Sequence, residues 1–224
     1  MTFNLNSIIR ESVKDLTPYS SARDEFTDFQ KDMIFLDANE SPFDTGINRY
    51  PDPVQRNLKT RVSELKNVSS QQILLGNGSD EVLDLIVRAF CEPGKDQVII
   101  APPTYGMYGV IAQINAANIV EVPLKSDFQL DTKSMIEKIE SNTKIIFLCS
   151  PNNPTGNSLN VNDIETLLKN FNGLVVVDEA YIDFSERLSW TRHLDDFPNL
   201  IVTQTLSKAY GMAGIRLGMC FASE

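Results

Sequence analysis

From Pro53 onward, short apolar runs alternate with amphipathic segments, and this alternation limits the fold more than any other feature of the sequence. Two segments, residues 80–90 and 161–171, repeat their apolar side chains at helical spacing. The apolar runs are rich in Val and Ile without regular polar alternation, which is typical of strands covered on both faces. We therefore predict an α/β domain with a helix-covered sheet, whose strands lie at residues 73–75, 97–101, 119–122, 144–149, 174–177, 200–205 and 218–222.

The beginning of the chain does not follow this pattern. The segment SIIRESVKDL repeats its apolar residues at roughly helical spacing. The later segment MIFLDANESPF predicts a short strand that runs into a turn at its Ser-Pro pair. We therefore separate an N-terminal arm, residues 1–45, from a main domain, residues 46–224.

The acidic balance of the chain restricts its partners. Thirty Asp and Glu residues against 20 Lys and Arg residues give a formal net charge of -10, which disfavours general affinity for nucleic acid or for an anionic membrane surface. No leader pattern or bilayer-length apolar run is visible in the sequence, so we expect a cytoplasmic protein without a membrane partner. Cys91, Cys149 and Cys220 lack paired spacing, which predicts small buried side chains rather than a metal site.

Polar residues directly follow most of the predicted strands, and ligands of open α/β sheets bind at that edge. The motif GNGSDE lies between a predicted strand and a predicted helix, where Ser79 or Asp80 could cap the helix and its free amides suit a phosphate. An ordinary capped turn is the commoner explanation of this motif taken alone. It matches neither a dinucleotide fingerprint nor a Walker A loop.

Three more strand ends carry candidate ligand-binding residues. LVVVDEAY is similar to a Walker B strand, but the sequence offers no P-loop, so Asp178 could instead pair with a cationic ring nitrogen and Tyr181 with a ring hydroxyl. SPNNPTG is either a plain turn-rich loop or one that aims the Asn153 amide at an acceptor. Tyr105 is either a core aromatic residue or a platform for a planar ligand.

The segment TLSKAYGMAGIRLG sets basic side chains among glycines directly behind an apolar run. A lysine amine attacks an aldehyde when it is desolvated or lies beside another positive charge, and Arg216 could supply that charge for Lys208. Arg216 also suits a phosphate, with the Ser207 hydroxyl nearby. An aldehyde-reactive amine, a phosphate clamp, a ring counter-ion and an aromatic platform on one edge indicate pyridoxal phosphate (PLP).

Seven motifs resemble, in order and spacing, those of the fold type I PLP-dependent aminotransferases: FLDANESPF, RYPDP, LLGNGSDEVLDLIVRAFCEPG, APPTYGMY, SPNNPTG, VVVDEAYIDF and TLSKAYGMAGIRLG. The resemblance spans essentially the whole chain. It implies that residues 46–224 form the PLP-binding large domain, with a mainly parallel sheet covered by helices. Residues 1–45 would form the arm and part of the small domain, whose C-terminal portion we expect to be missing from this chain.

The resemblance also implies roles around the cofactor ring. Lys208 would bond to the PLP aldehyde and carry the proton between the two carbons that exchange the amine. Asp178 would pair with the ring nitrogen, and Tyr181 and Asn153 would hydrogen-bond the ring oxygen. Tyr105 would stack on the ring. Lys208, Asp178 and Tyr181 are the expected catalytic residues.

Other residues would hold the phosphate, the substrate and a second subunit. Tyr50 would reach the cofactor site of a partner subunit, so the resemblance implies a homodimer. Asn39 would lie near the substrate. Four residues would hold the cofactor phosphate: Ser79, Asp80, Ser207 and Arg216.

The motifs look most like those of family members that transfer an amino group between glutamate and imidazole-acetol phosphate, forming 2-oxoglutarate and histidinol phosphate in histidine biosynthesis. Relatives that decarboxylate threonine phosphate or transaminate aromatic amino acids share most of the cofactor motifs, so both are alternatives. A non-catalytic fragment is the third alternative.

Overall fold

The computed structural model describes residues 3–19 and 34–224, and a single seven-stranded sheet organises them. All seven strands predicted from the apolar runs are confirmed. The strands are β1 Ile73–Asn77, β2 Gln97–Ile100, β3 Asn118–Glu121, β4 Thr143–Cys149, β5 Leu174–Asp178, β6 Leu200–Thr205 and β7 Leu217–Ala222.

The strand order is β1-β7-β6-β5-β4-β2-β3. Strand β7 runs antiparallel to both of its neighbours, while the other strand pairs are parallel. The carboxyl ends of six strands therefore meet at one edge, and β7 begins there. The expected mainly parallel sheet is confirmed.

Helices cover both faces of the sheet. In the described residues they are α1 Glu11–Lys14, α2 Arg56–Lys66, α3 Ser79–Phe90, α4 Met107–Ile114, α5 Thr132–Glu137 and α6 Val161–Asn170. One buried cluster contains the apolar sides of α3 and α4, and the other contains those of α2, α5 and α6. The two helices predicted from apolar spacing correspond to α3 and α6, and the cysteines are buried as predicted.

The N-terminal residues dock on the end of α3. Ile8 is buried in the same cluster as the apolar face of that helix, and the Arg10 guanidinium donates to the carbonyl oxygen of Arg88 at 2.8 Å. Only one short α-helix, α1, and one 3₁₀ turn form among described residues 3–19, because the predicted helical spacing is interrupted by polar side chains. No helix among the described residues is long and apolar enough to cross a membrane.

The strand predicted within residues 33–43 is wrong for the part that the structure describes. Residues 34–36 belong to none of the strands in the described part of the chain, and the residues Ile34 and Leu36 are 84% and 86% exposed. The physical reason is that an extended apolar segment becomes a stable strand only where a neighbour satisfies its backbone hydrogen bonds. Residue 33 lies outside the described residues.

Candidate active site

Asp178 ends β5 as a buried carboxylate, with 2% of the residue exposed. Its Oδ1 accepts the Ala180 amide at 3.1 Å, and its Oδ2 accepts the Tyr108 hydroxyl at 2.7 Å. Burial raises the pKa of Asp178, and the Tyr108 hydrogen bond opposes that increase. Among residues 3–19 and 34–224, no cationic side chain forms a salt bridge with it. Such a carboxylate suits a positively charged ligand atom.

Tyr105 and Tyr108 lie beside this carboxylate. The fully buried Tyr108 ring stacks on Phe147 with centroids 5.0 Å apart, and Tyr105 meets Tyr108 edge-on at 5.6 Å. The Tyr105 hydroxyl donates to Asp80 Oδ1 at 3.1 Å. Burial, together with the charge of Asp80, raises the pKa of Tyr105 to about 12, so this hydroxyl keeps its proton.

Sequence reasoning missed Tyr108. The available signal was a phenol in the apolar segment YGVIAQI, between two predicted strands, because a buried tyrosine hydroxyl needs a partner. The identity of that partner depends on how α4 packs against the sheet.

The first turn of α3 differs from the sequence prediction in its cap. Gly78 is the N-cap residue, with φ +88°, and no side chain caps the helix. The prediction that Ser79 or Asp80 caps the helix is wrong, because the N-cap position falls one residue earlier, at Gly78. The Asp80 carboxylate instead accepts the Tyr105 hydroxyl. Glu81 accepts the amide of Asn77. Within the described part of the chain, no acceptor takes a hydrogen bond from the amides of Ser79 and Asp80, so they can receive an anion.

Arg216 lies against this turn. Its guanidinium fills the space that a side chain at Gly78 would occupy: an added Cβ there would approach Arg216 Cζ to 3.2 Å. Gly218 lets the backbone of residues 78 and 79 pack directly on β7, since a Cβ at Gly218 would overlap it. A guanidinium beside free helix amides forms a cradle for a phosphate. Arg216 itself is exposed, and its Nη1 donates to the Ala213 carbonyl at 3.3 Å.

Lys208 follows β6 and faces Tyr181, with 5.3 Å between its Nζ and the tyrosine ring centroid. Lys208 is exposed in this chain. The neighbouring Ser207 is held by Thr205, whose hydroxyl donates to Ser207 Oγ at 3.0 Å and accepts the Ser207 amide at 3.1 Å. The β6 end thus places an amine and a hydroxyl at the same edge as Asp178.

Asn153 and Tyr181 line one cleft of about 520 Å³. The preceding Asn152, which sequence reasoning also missed, is 4% exposed and donates to the Pro103 carbonyl at 2.9 Å and the Thr155 hydroxyl at 2.7 Å. A buried amide with these bonds joins the loop after β4 to the loop after β2. It therefore fixes the backbone from which Asn153 projects.

Tyr50 and Asn39 lie in a segment held together by Glu40. That carboxylate, with a 2% exposed side chain, accepts the Arg49 guanidinium and the Tyr50 amide at 2.8 Å and 2.7 Å. The residue Tyr50 is 68% exposed, and Asn39 is exposed with φ +52°. These hydrogen bonds lie within residues 40–50 and do not connect the segment to the residues around Asp178. The predicted roles of Tyr50 and Asn39 therefore stay predictions.

Comparison with known proteins identifies the class. Residues 34–224 match the family described as "Aminotransferase class I and II". The chain therefore belongs to the class I and II aminotransferases, and its sheet and helices match fold type I aminotransferases.

The similarities become more specific at higher identity. The histidinol-phosphate aminotransferase of Flavobacterium johnsoniae is 63% identical over the whole of this chain and 64% of its own length. The chain thus spans about 64% of that relative. The structure of histidinol-phosphate aminotransferase from Sinorhizobium meliloti, in complex with pyridoxal-5'-phosphate, is 29% identical, with a TM-score of 0.71 over 78% of this chain and 48% of that one.

A second kind of enzyme shares the fold. L-threonine-O-3-phosphate decarboxylase from Porphyromonas gingivalis is 26% identical, with a TM-score of 0.66 over 79% of this chain and 55% of that chain.

Proposed function

We propose that this chain binds PLP at the carboxyl edge of its sheet and serves transamination between glutamate and imidazole-acetol phosphate in histidine biosynthesis. The observation that carries the proposal is Asp178, a buried carboxylate without a cationic partner in the described residues. The Arg216 cradle and Lys208 lie at the ends of neighbouring strands. The residues present therefore fit PLP, which has a ring nitrogen, a phosphate and an aldehyde.

When bound, PLP supplies an electron sink for the substrate carbon that loses its proton. Asp178 would hold the proton on the ring nitrogen, and its two fixed donors keep its carboxylate in one orientation. Lys208 would bond to the cofactor and then move the proton between the two reacting carbons. Tyr181 and Asn153 would donate to the ring oxygen, because both line the cleft beside Lys208.

The phosphate would be held by the first turn of α3 and the loop before β7. The Ser79 and Asp80 amides and the Arg216 guanidinium present donors there. Ser207 would add a hydroxyl. Tyr105 would stack on the ring, because its own hydroxyl is fixed by Asp80 while the ring remains half-buried.

The substrate assignment is supported by the high identity to a histidinol-phosphate aminotransferase. We also propose a cytoplasmic homodimer, in which the exposed Tyr50 reaches the partner subunit's site and Asn39 lies near the substrate. Tyr50 is 68% exposed.

The test begins with the 224-residue chain loaded with PLP and freed of excess cofactor. Glutamate should convert the visible absorbance of the aldehyde form into that of the amine form, and imidazole-acetol phosphate should reverse the change with formation of histidinol phosphate. Lys208→Ala is the control and should show neither conversion. An unchanged spectrum after glutamate would contradict transamination.

A decarboxylase is the second candidate, favoured by the structural similarity to the threonine-phosphate enzyme. Release of carbon dioxide from threonine phosphate, without conversion by glutamate, would support it. Conversion by an aromatic amino acid but not by glutamate would support the aromatic aminotransferase alternative. A chain that acquires no visible absorbance with PLP would be a non-catalytic fragment.

A further inference from the structure

Lys66, the last residue of α2, contacts two segments of the candidate site from outside it. Its side chain is 10% exposed. We propose that Lys66 is a positioning residue that holds the Lys208 loop, residues 206–216, against the segment after β5 that carries Tyr181. This inference rests on the proposed function, since it concerns how Lys208 is presented to PLP.

The ammonium of Lys66 touches one residue from each segment. Its Nζ donates to the Tyr210 hydroxyl at 3.1 Å and lies 3.6 Å from Asp183 Oδ1. The same nitrogen is 4.9 Å from the centroid of the Tyr210 ring. Tyr210 lies two residues after Lys208, and Asp183 lies two residues after Tyr181. One side chain therefore fixes both segments to the same point.

Because Lys66 is largely buried, its ammonium needs partners from the protein. An ammonium removed from water is costly unless a carboxylate, a hydroxyl or an aromatic face receives it. Lys66 has all three partners, and they come from two different segments. Burial raises the pKa of Glu179, which directly follows β5, and the positive charge of Lys66 acts in the opposite direction by lowering that pKa. Separating the two segments would leave these charges without partners.

The Lys208 loop depends on an anchor of this kind. The hydrogen bonds within it include those from the Gly211 amide to the Lys208 carbonyl at 2.9 Å, from the Met212 amide to the Leu206 carbonyl at 3.0 Å and from the Ile215 amide to the Met212 carbonyl at 3.1 Å. These bonds shape the loop without fixing its distance from Tyr181. Residues 211–216 are exposed, so burial adds little. The contact through Tyr210 therefore helps to set the 5.3 Å between Lys208 Nζ and the Tyr181 ring.

The cofactor experiment measures how fast PLP labels Lys208 in the 224-residue chain, trapped with borohydride and located by peptide mapping. In Lys66→Met the labelling rate should fall by roughly 10- to 100-fold, the scale expected when a reacting group is misplaced by about 1 Å. The melting temperature and the affinity for inorganic phosphate should stay at the parent values. Lys66→Arg should recover most of the rate. The matched control is Lys133→Met, because the Lys133 side chain is 86% exposed.

A second measurement needs no PLP. Hydrogen exchange at the Gly211 and Met212 amides should accelerate in Lys66→Met and in Tyr210→Phe, but not in Lys133→Met. Parent-like exchange and parent-like labelling in Lys66→Met would overturn the inference. Slower labelling that Lys66→Arg does not restore, with a lowered melting temperature, would also overturn it, because the role would then be general stability. If PLP does not label Lys208 in the parent chain, the proposed function fails. Hydrogen exchange then still decides whether Lys66 anchors the Lys208 loop.

Discussion

Tyr108 donates its hydroxyl hydrogen to Asp178 Oδ2 across 2.7 Å, and both side chains are buried. The stacking of Tyr108 on Phe147 fixes the direction of that donor. The Ala180 amide fixes the other carboxylate oxygen. Asp178 is therefore oriented before any ligand arrives, which is how a binding group is pre-organised.

Tyr108→Phe should raise the pKa of Asp178 further, because it removes a hydrogen bond that stabilises the charged form. It should also cost about 1–3 kcal/mol of unfolding free energy, the usual penalty for a buried polar group left one partner short. The checks are an NMR titration of the Asp178 carboxyl and urea unfolding. Tyr19→Phe is the control, since Tyr19 is 90% exposed. An unmoved Asp178 titration would show that the hydrogen bond has no electrostatic effect.

Asp178→Asn should stabilise the chain at neutral pH while preventing transamination. Burial raises the pKa of Asp178 in the folded state, so the unfolded chain releases this proton at lower pH. The resulting destabilisation is absent below the unfolded pKa, grows as pH rises toward the folded pKa and is complete above it. The variant should gain roughly 0.5–2 kcal/mol at pH 7, a common range for stabilising substitutions. Urea unfolding at neutral and acidic pH tests this: the gain should disappear in acid, and a loss at neutral pH would contradict it.

Gly78→Ala should weaken phosphate binding by displacing Arg216. Gly78 has φ +88°, and a Cβ there would overlap the guanidinium. Gly94→Ala is the matched control, because Gly94 has φ +72° but open space around its Cβ position. Gly94→Ala should lose about 1 kcal/mol from backbone strain, and Gly78→Ala about 1–3 kcal/mol, because φ +88° with ψ 162° is a conformation that essentially only glycine adopts. Only Gly78→Ala should lose affinity for inorganic phosphate in a titration. Equal affinities in the two variants would exclude the cradle.

Lys208→Ala should abolish the borohydride-stable label while PLP still binds reversibly through the phosphate donors. Because Lys208 is exposed, its loss should change the unfolding free energy by less than about 0.5 kcal/mol. Peptide mapping and equilibrium dialysis measure the two effects. A label found on another lysine of the parent chain would contradict the assignment.

The arrangement of Lys66 shows the limit of reading patterns along the chain. Its partner Tyr210 is 144 residues away, and the Tyr108 and Asp178 pair is separated by 70. Nothing local marks either pair, because each depends on which helix face packs over which strand end. The N-cap of α3 is Gly78 rather than Ser79 or Asp80, and the Arg216 guanidinium, from the other end of the chain, fills the space beside it.

The order of the motifs and the apolar periodicity by themselves determined the seven strands, the helices α3 and α6, the family resemblance and the set of candidate residues. Buried positions recur along the chain with the period of a helix or a strand, so the pattern of apolar residues is enough to predict these elements. Tertiary structure alone decided that residues 34–36 form no strand, that Tyr108 orients Asp178 and that Lys66 joins the Lys208 loop to Asp183. Those outcomes required partners from distant parts of the chain, and only packing brings such partners together.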